Sequence, residues 1–116
     1  MLIRIDLQAG EAVYDQIASA LGAQIASGEL AVGERLPAAR DVADALGINM
    51  HTVLHAYQTL RDQGLIELRR GRGAVVIGAS GSAQLHEAVK SVIAQARRDG
   101  VPPAALLALI RQEYTP

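Results

Sequence analysis

Residues 46–60 have the sequence Leu-Gly-Ile-Asn-Met-His-Thr-Val-Leu-His-Ala-Tyr-Gln-Thr-Leu. Gly47 is the type of residue that ends a helix, and Asn49 is a strong N-cap for a helix that follows. Apolar residues then recur at the spacing of one helix face: Val53, Ala56, Tyr57 and Leu60. This pattern predicts a tight turn between two helices. The second helix covers about residues 50–63 and packs one face against the rest of its domain.

The residues before this turn predict two more helices. Residues 11–27 carry an apolar stripe with a spacing of four and stop at Gly28, which suits the C′ position. The stripe consists of Val13, Ile17, Leu21 and Ile25. Residues 29–37 predict a loop anchored by its two leucines, which we expect to be buried. Residues 38–46 predict a second helix that begins after a proline.

The residues after the turn predict a β-hairpin. Residues 65–69 and 74–77 are rich in β-formers and flank a Gly/Arg turn at 70–73. Residues 2–7 alternate in polarity and predict at most a short extended arm or edge strand. The order helix, helix, turn, helix, hairpin is that of a winged helix-turn-helix. The expected fold is therefore mainly α with a small β-hairpin.

A change of composition after residue 77 predicts a separate tail. We expect a winged helix-turn-helix domain over residues 1–77, a flexible linker over 78–82 and a two-helix tail over 83–116. The tail helices carry apolar residues on one side: Leu85, Val89, Val92 and Ile93 on the first, and Leu106, Leu107 and Ile110 on the second. Because two short amphipathic helices cannot form a core alone, they must pack on the first domain or on a second chain.

Composition and charge narrow the class of protein. The chain has 116 residues and a net charge of −1, which excludes a uniformly basic coat protein. Residues 35–76 nevertheless hold six Arg against four acidic residues. Cysteine is absent, which excludes disulfides and Cys-based metal sites. The N-terminus lacks the apolar run of a signal peptide, and no window is apolar enough to span a membrane, so we expect a soluble cytoplasmic protein without a membrane partner.

The face of the 50–63 helix opposite its apolar stripe predicts contacts with DNA bases. A recognition helix must keep such a face free for the major groove. This face carries His51, Leu54, His55 and Gln58. Gln58 can pair with adenine, Leu54 can contact a thymine methyl group, and the two histidines can reach phosphate or guanine. The alternative is an ordinary solvated surface helix.

Arginines form the second group of candidate DNA-binding residues. The turn Arg70-Gly71-Arg72-Gly73 combines glycines, which allow a tight bend, with arginines that can enter a minor groove or bind phosphate. The alternative is a solvated turn whose charge only keeps it soluble. Arg40, near the start of the second helix, can lie close to the DNA backbone or form a weak surface ion pair with Asp44.

We expect no catalytic site, metal ion or other cofactor. His51 and His55 have an i, i+4 spacing that could hold a metal ion, but no Glu lies between them and no third ligand is evident. The Gly-Arg-Gly at 71–73 lacks the spacing of a phosphate-binding loop, and no serine lies in a nucleophile elbow. The sequence therefore indicates a binding protein rather than an enzyme.

Several of these motifs together resemble the DNA-binding domain of GntR-family bacterial transcription regulators. The resemblance covers about residues 10–77. It is carried by Tyr14–Ile17, Gly28–Pro37, Arg40–Gly47, Thr52–Val53, Ala56–Tyr57, Leu60, Gly64–Ile66 and Arg70–Gly73. The remainder is too short for the larger effector-binding domains of most members and is similar to the two-helix tail of the YtrA-type subfamily.

The resemblance implies a homodimeric repressor that binds a roughly palindromic operator in double-stranded DNA, with the tail helices as the dimer interface. It implies a DNA contact for Arg40 and a wing glycine at Gly71 or Gly73. Asn49 and Thr52, at the start of the recognition helix, match the YtrA-type pattern and are expected to bind DNA.

The chain departs from the family pattern within the recognition helix. Met50 and Leu54 stand where the family often has arginine, and His51 stands where asparagine is usual in the YtrA type. Because arginine is a strong reader of guanine, operator sequences of arginine-bearing relatives do not transfer to this protein.

Two other functions fit the same fold. A winged helix can be a protein-interaction module that never binds DNA, although such a module has no need for the arginines at 69–72. The tail could also hold a small-molecule effector. That effector would have to be small and apolar, or bind at the domain joint, because no polar side chains converge in the tail.

Overall fold

The computed structural model describes residues 3–78 and 80–115. These residues form two compact units, of which the first ends at Ser82 and the second begins at Ala83. Leu2 of the predicted arm and Ala79 of the predicted linker lie outside the described residues.

Three helices of the first unit confirm the predicted order. Helix α1 covers Val13–Ala26, α2 covers Ala39–Leu46 and α3 covers Met50–Asp62. Gly28 has a φ of 84° just beyond α1, and Gly47 has a φ of 69° at the end of α2. Both positions favour glycine because a Cβ atom disfavours this left-handed backbone. The observed boundaries of these three helices differ from the predicted ones by at most two residues.

The core of the first unit lies between α1, α2, α3 and the hairpin. Helices α1 and α3 face each other through the two predicted apolar stripes. The most deeply buried side chains are Ile17, Leu21, Ile25, Val53, Leu60, Ile66 and Val76. Complete burial of one such aliphatic side chain contributes about 1.5–3 kcal/mol. This core holds α3 in place from one side only and leaves its other face open.

The hairpin consists of β1, Ile66–Arg69, and β2, Gly73–Val76, paired antiparallel. A third extended segment joins it, because Leu36 N–H donates to the carbonyl of Ala74 (2.8 Å) and Val76 N–H donates to that of Glu34 (2.9 Å). The prediction of a plain loop over 29–37 was therefore wrong for residues 34–36. This segment is too short to show alternation, and tertiary pairing with β2 fixes its conformation. Its two leucines, Leu30 and Leu36, are buried as predicted.

The N-terminal arm forms no strand among the described residues. The side chain of Gln16 holds it in place: Asp6 N–H donates to Gln16 Oε1 (2.7 Å), and Gln16 Nε2 donates to the Asp6 carbonyl (2.9 Å). Ile3 and Ile5 pack against the core. The Gln16 amide thus bonds both the N–H and the carbonyl of Asp6, as the backbone of a neighbouring strand does in a sheet.

Two glycines of the predicted linker contact the first unit through their backbone. Gly81 N–H donates to the carbonyl of Ile25 (2.8 Å), and Gly78 N–H donates to the carbonyl of Leu65 (3.3 Å). A Cβ atom added at Gly81 would collide with the carbonyl oxygen of Ala26. Glycine is therefore required at position 81 for this close approach to the end of α1.

The second unit is a helical hairpin of α4, Ala83–Arg98, and α5, Pro103–Tyr114. Gly100, with a φ of 72°, ends α4 in a Schellman arrangement, because Val101 N–H donates to the Ala96 carbonyl (2.8 Å) and Gly100 N–H donates to the Arg97 carbonyl (3.2 Å). Within the described tail, only Ala96 is buried, and Leu106 is half-buried. The other six predicted interface residues are 38–57% exposed: Leu85, Val89, Val92, Ile93, Leu107 and Ile110. No helix in the described ranges is both long and apolar enough to cross a bilayer.

Candidate nucleic-acid interface

The turn between α2 and α3 fixes where α3 begins. After Gly47, Ile48 N–H donates to the Ala43 carbonyl (3.0 Å), which closes the turn. Asn49 Oδ1 accepts a hydrogen bond from His51 N–H (2.7 Å), which confirms the predicted N-cap. Because phosphate oxygens accept hydrogen bonds, the amide NH₂ group is the part of the Asn49 side chain that can bond a phosphate.

The exposed face of α3 brings five predicted DNA-binding residues onto one helix. His51, His55 and Gln58 are exposed, whereas Thr52 and Leu54 are half-buried on the flanks. The opposite face carries the buried stripe, and α3 contacts α1, α2 and the hairpin. The arrangement therefore presents polar side chains along the centre of the free face and a partly covered apolar side chain at its edge.

One contact of this face was not predicted from the sequence. The ring of Tyr14, in the first turn of α1, stacks on the imidazole of His55 with a centroid distance of 3.7 Å and an interplanar angle of 17°. Periodicity within either helix gives no signal for this pair, because it depends on how α1 and α3 pack. Tyr14 therefore belongs to the candidate interface together with His55.

A second contact missed at the sequence level fastens α3 to the segment that leads into α2. Tyr57 O–H donates to the carbonyl of Pro37 (2.7 Å). Burial raises the pKa of Tyr57 to about 12, because the ionised phenolate would lose its hydration. The hydroxyl therefore keeps its proton and its donor role beyond pH 10, where an exposed tyrosine ionises. The bond joins α3 to the segment before α2.

Arg40 lies in the first turn of α2 and is exposed. The alternative ion pair with Asp44 is not formed: ion pairs among the described residues join Arg61 to Asp62, Arg69 to Glu67 and Lys90 to Glu87. Within the residues that the structure describes, no hydrogen bond or ion pair joins Arg40 to α3 or to the wing. Its guanidinium is therefore available to an external anion.

The hairpin turn, here called the wing tip (residues 70–72), presents two arginines. Arg72 N–H donates to the Arg69 carbonyl (3.1 Å), and Gly71 at the third position of this turn has a φ of 79°. A type II turn requires such a positive φ, which explains the glycine. Arg69 is paired with Glu67 at 3.4 Å, whereas Arg70 and Arg72 are exposed and have no ion-pair partner within the described ranges. Gly73, with a φ of 73°, begins β2.

Among the described residues, no group of three or more His, Cys, Asp or Glu side chains is placed to hold a metal ion. His51 and His55 lie on the same helix face, but no third ligand of this kind joins them among these residues. The chemistry of the site is that of hydrogen-bond donors and free cations facing solvent.

Known proteins resemble the part of the chain that carries this surface. The family model described as bacterial regulatory proteins, gntR family, matches residues 13–76. An HTH-type transcriptional regulator of Mycobacterium tuberculosis is 34% identical over 74 residues, which cover 64% of this chain and 61% of that protein. The HTH-type transcriptional repressor YtrA of Bacillus subtilis is 33% identical over 75 residues, which cover 65% of this chain and 58% of the repressor. The chain thus spans about three fifths of the length of these two relatives.

A solved structure matches the tail as well. YtrA from Sulfolobus acidocaldarius, a GntR-family transcription factor, superposes with a TM-score of 0.62 at 32% identity and covers 97% of each chain. The winged domain and the two-helix tail therefore occur together in a relative. The chain belongs to the GntR family of bacterial regulatory proteins, which are DNA-binding transcription regulators of the helix-turn-helix type and not enzymes.

Proposed function

We propose that this protein is a homodimeric repressor that recognises a roughly palindromic DNA operator. In this proposal residues 1–77 bind DNA, residues 83–116 form the dimer, and residues 78–82 connect the two. Repression is proposed because the Bacillus subtilis relative is named a repressor. A cytoplasmic location follows from a role at the bacterial chromosome.

Helix α3 is proposed to enter the major groove. Its exposed face supplies the base readers His51, Leu54, His55 and Gln58. A glutamine can bond adenine in a bidentate manner, a histidine can donate to guanine, and a leucine can contact the thymine methyl group. Asn49 and Thr52, at the start of α3, are placed to bond the phosphate backbone and set the register of the helix.

The wing and α2 are proposed to hold the DNA backbone on either side of this groove. Arg70 and Arg72 at the wing tip are exposed cations without an acidic partner in the described residues. Gly71 and Gly73 shape the turn that presents them. Arg40 is proposed as a further phosphate contact. Phosphate contacts fix orientation but carry no sequence information, so these arginines contribute affinity rather than base preference.

The tail is proposed to join two copies of the chain. Leu85, Val89, Val92 and Ile93 on α4, together with Leu106, Leu107 and Ile110 on α5, form the proposed interface. Most of these side chains stay exposed within a single chain, and two short helices cannot form a stable core alone. A symmetric pair of tails would cover them and place two copies of α3 on two half-sites.

The observation that carries this proposal is the open face of α3 beside a wing tip with two unpaired arginines. Fluorescence anisotropy tests it with a labelled duplex from immediately upstream of the gene and a shuffled duplex of equal composition. We expect preferential binding of the first duplex, with a log–log salt slope of about −4 to −8 from roughly five to nine phosphate contacts. Absence of binding to both duplexes at low salt would instead support a protein-interaction module.

The wing contribution is tested with Arg72→Ala. Loss of one phosphate contact should weaken binding to every sequence alike and reduce the magnitude of the salt slope by about 1. Arg97→Ala removes the same charge from an exposed position on α4 and is the matched control. Equal effects of the two substitutions would show that only the overall charge matters and would remove the wing from the interface.

A further inference from the structure

The stacked pair of Tyr14 and His55 joins two helices at the surface of the first unit. The ring centroids lie 3.7 Å apart and the planes differ by 17°. One face of the imidazole is therefore covered by the phenol ring. The imidazole cannot change its side-chain rotamer without losing this contact.

His55 lies on the face of α3 that is free for a ligand. The buried stripe of α3 is formed by Val53, Ala56, Tyr57 and Leu60. With 100° between successive helix residues, His55 falls on the opposite side, next to His51 and Gln58. His55 remains exposed despite the stack. Its covered face is turned toward α1, and its edge is open.

The stack is a contact between α1 and α3 at the surface, next to the buried contacts of the same two helices. Ile17 and Leu21 of α1 are fully buried in the core, and Tyr14 lies one turn before Ile17. The orientation of the His55 ring is thus set by the rigid packing of two helices. Thr59 bonds only the main-chain carbonyl of His55 (3.1 Å). In the described residues no hydrogen bond engages the imidazole nitrogens, so both are available to an external partner.

We propose that Tyr14 is a positioning residue for base recognition: it holds the His55 imidazole so that a ring N–H donates to a guanine in the major groove and sets the preference for that base. This inference rests on the proposed entry of α3 into the major groove. Guanine offers two acceptors there, N7 and O6, and a neutral or protonated histidine has a donor for them. A side chain already held in its bound orientation loses less conformational entropy on binding.

The test is selection of bound duplexes from a library with a randomised core, using the full chain and three variants. We expect the wild-type protein to select guanine at one position of each half-site. His55→Ala and Tyr14→Ala should both reduce that preference, by about fivefold or more, the effect of losing one base contact. Tyr14→Phe keeps the ring and the stack and should retain the preference. Preferences at the other positions should not change.

A second readout separates positioning from a general structural role. The ring current of a stacked phenol or phenyl ring shifts the His55 Cε1 proton in the ¹H NMR spectrum. The shift should persist in Tyr14→Phe and vanish in Tyr14→Ala. Tyr14→Leu, which keeps apolar volume but has no ring, replaces Tyr14→Ala if the latter does not fold.

Three results would overturn the inference while leaving DNA binding intact. Tyr14→Ala could keep the full guanine preference. Tyr14→Phe could lose as much as Tyr14→Ala, which would indicate a hydroxyl contact. Tyr14→Ala could also reduce the preference at all positions equally while the protein stays folded by NMR, which would indicate that Tyr14 places α3 as a whole and not His55. A wild-type protein that selects no sequence at all would instead overturn the proposed function on which the inference rests.

Discussion

The two units of this chain use the same kinds of apolar residues in opposite ways. The first unit buries its stripes between α1, α3 and the hairpin. The tail carries similarly regular stripes but, among its described residues, buries only Ala96. The first unit therefore has the core of an independent domain. The tail leaves most of its apolar stripe residues exposed within the single chain.

This contrast separates two sources of stability. In the first unit, the buried contacts lie within one chain, so we expect its free energy of unfolding to be independent of protein concentration. If two tails form the dimer, the stability of the tail rises with concentration by mass action. Native-state hydrogen exchange reports each helix separately and can therefore distinguish the two units in the full chain.

The largest effect is expected from Leu60→Ala in the first unit. Leu60 is fully buried on α3, so its truncation removes apolar contacts and leaves a cavity. A substitution of this kind lowers the free energy of unfolding by about 2–5 kcal/mol. Amide protection in α1 and α3 should fall by that amount, while protection in α4 and α5 stays the same. Loss of protection in all five helices would show that the two units unfold together.

The next effect is expected from Leu107→Glu combined with Ile110→Glu in the tail. Both side chains are exposed in the single chain, so the added charges should not disturb the helical hairpin of α4 and α5. They should prevent pairing of two tails, and sedimentation should show a monomer. Loss of bivalent binding should weaken operator affinity by about 100-fold. Leu7→Glu is the control, since Leu7 is an apolar residue of the arm that is 74% exposed. A dimer that survives the double substitution would refute the assigned interface.

The same contrast explains which parts of the structure follow from the sequence. The helices and the hairpin follow from local signals: apolar periodicity, glycines at helix ends and the N-cap at Asn49. The expected exposed residues His51, His55 and Gln58 follow from the stripe on the opposite face of α3. These features depend on residues close together in the chain, so a single sequence contains enough information to predict them.

The features that escaped prediction depend on residues far apart in the chain. The pairing of residues 34–36 with β2, the stack of Tyr14 on His55 and the bond from Tyr57 to Pro37 each join separate elements of the fold. The apolar periodicity of a single helix or strand does not predict such contacts. The Gln16 side chain that binds the Asp6 backbone is a further example, since its amide replaces a strand.

A pH dependence at the core of the first unit gives the third test. Burial raises the pKa of Tyr57 to about 12, from 10.0 for the free side chain. Below pH 10 the phenol is neutral in both the folded and the unfolded state. Between pH 10 and 12 only the unfolded state ionises, so the free energy of unfolding should fall by about 1.4 kcal/mol per pH unit.

Urea denaturation between pH 8 and 11.5 measures this fall in the first unit. Tyr57→Phe should remove it, and should also cost about 1 kcal/mol at neutral pH through loss of the bond to the Pro37 carbonyl. Tyr14→Phe is the matched control and should keep the fall. Identical pH profiles for wild-type protein and Tyr57→Phe would show that the Tyr57 phenol is accessible to water.

The smallest effect is expected at the boundary between the two units. Gly81 bonds the last turn of α1, and an added Cβ atom would meet the Ala26 carbonyl. Gly81→Ala should therefore displace this residue from α1 and remove one hydrogen bond, worth about 1 kcal/mol. Hydrogen exchange should show faster exchange of the amide at position 81, with α3 and α4 unchanged. Ser80→Ala alters the neighbouring residue without this collision and serves as the control. Continued protection of the amide at position 81 in Gly81→Ala would contradict this prediction. It would show that contacts other than the bond to the Ile25 carbonyl hold residue 81 against the end of α1.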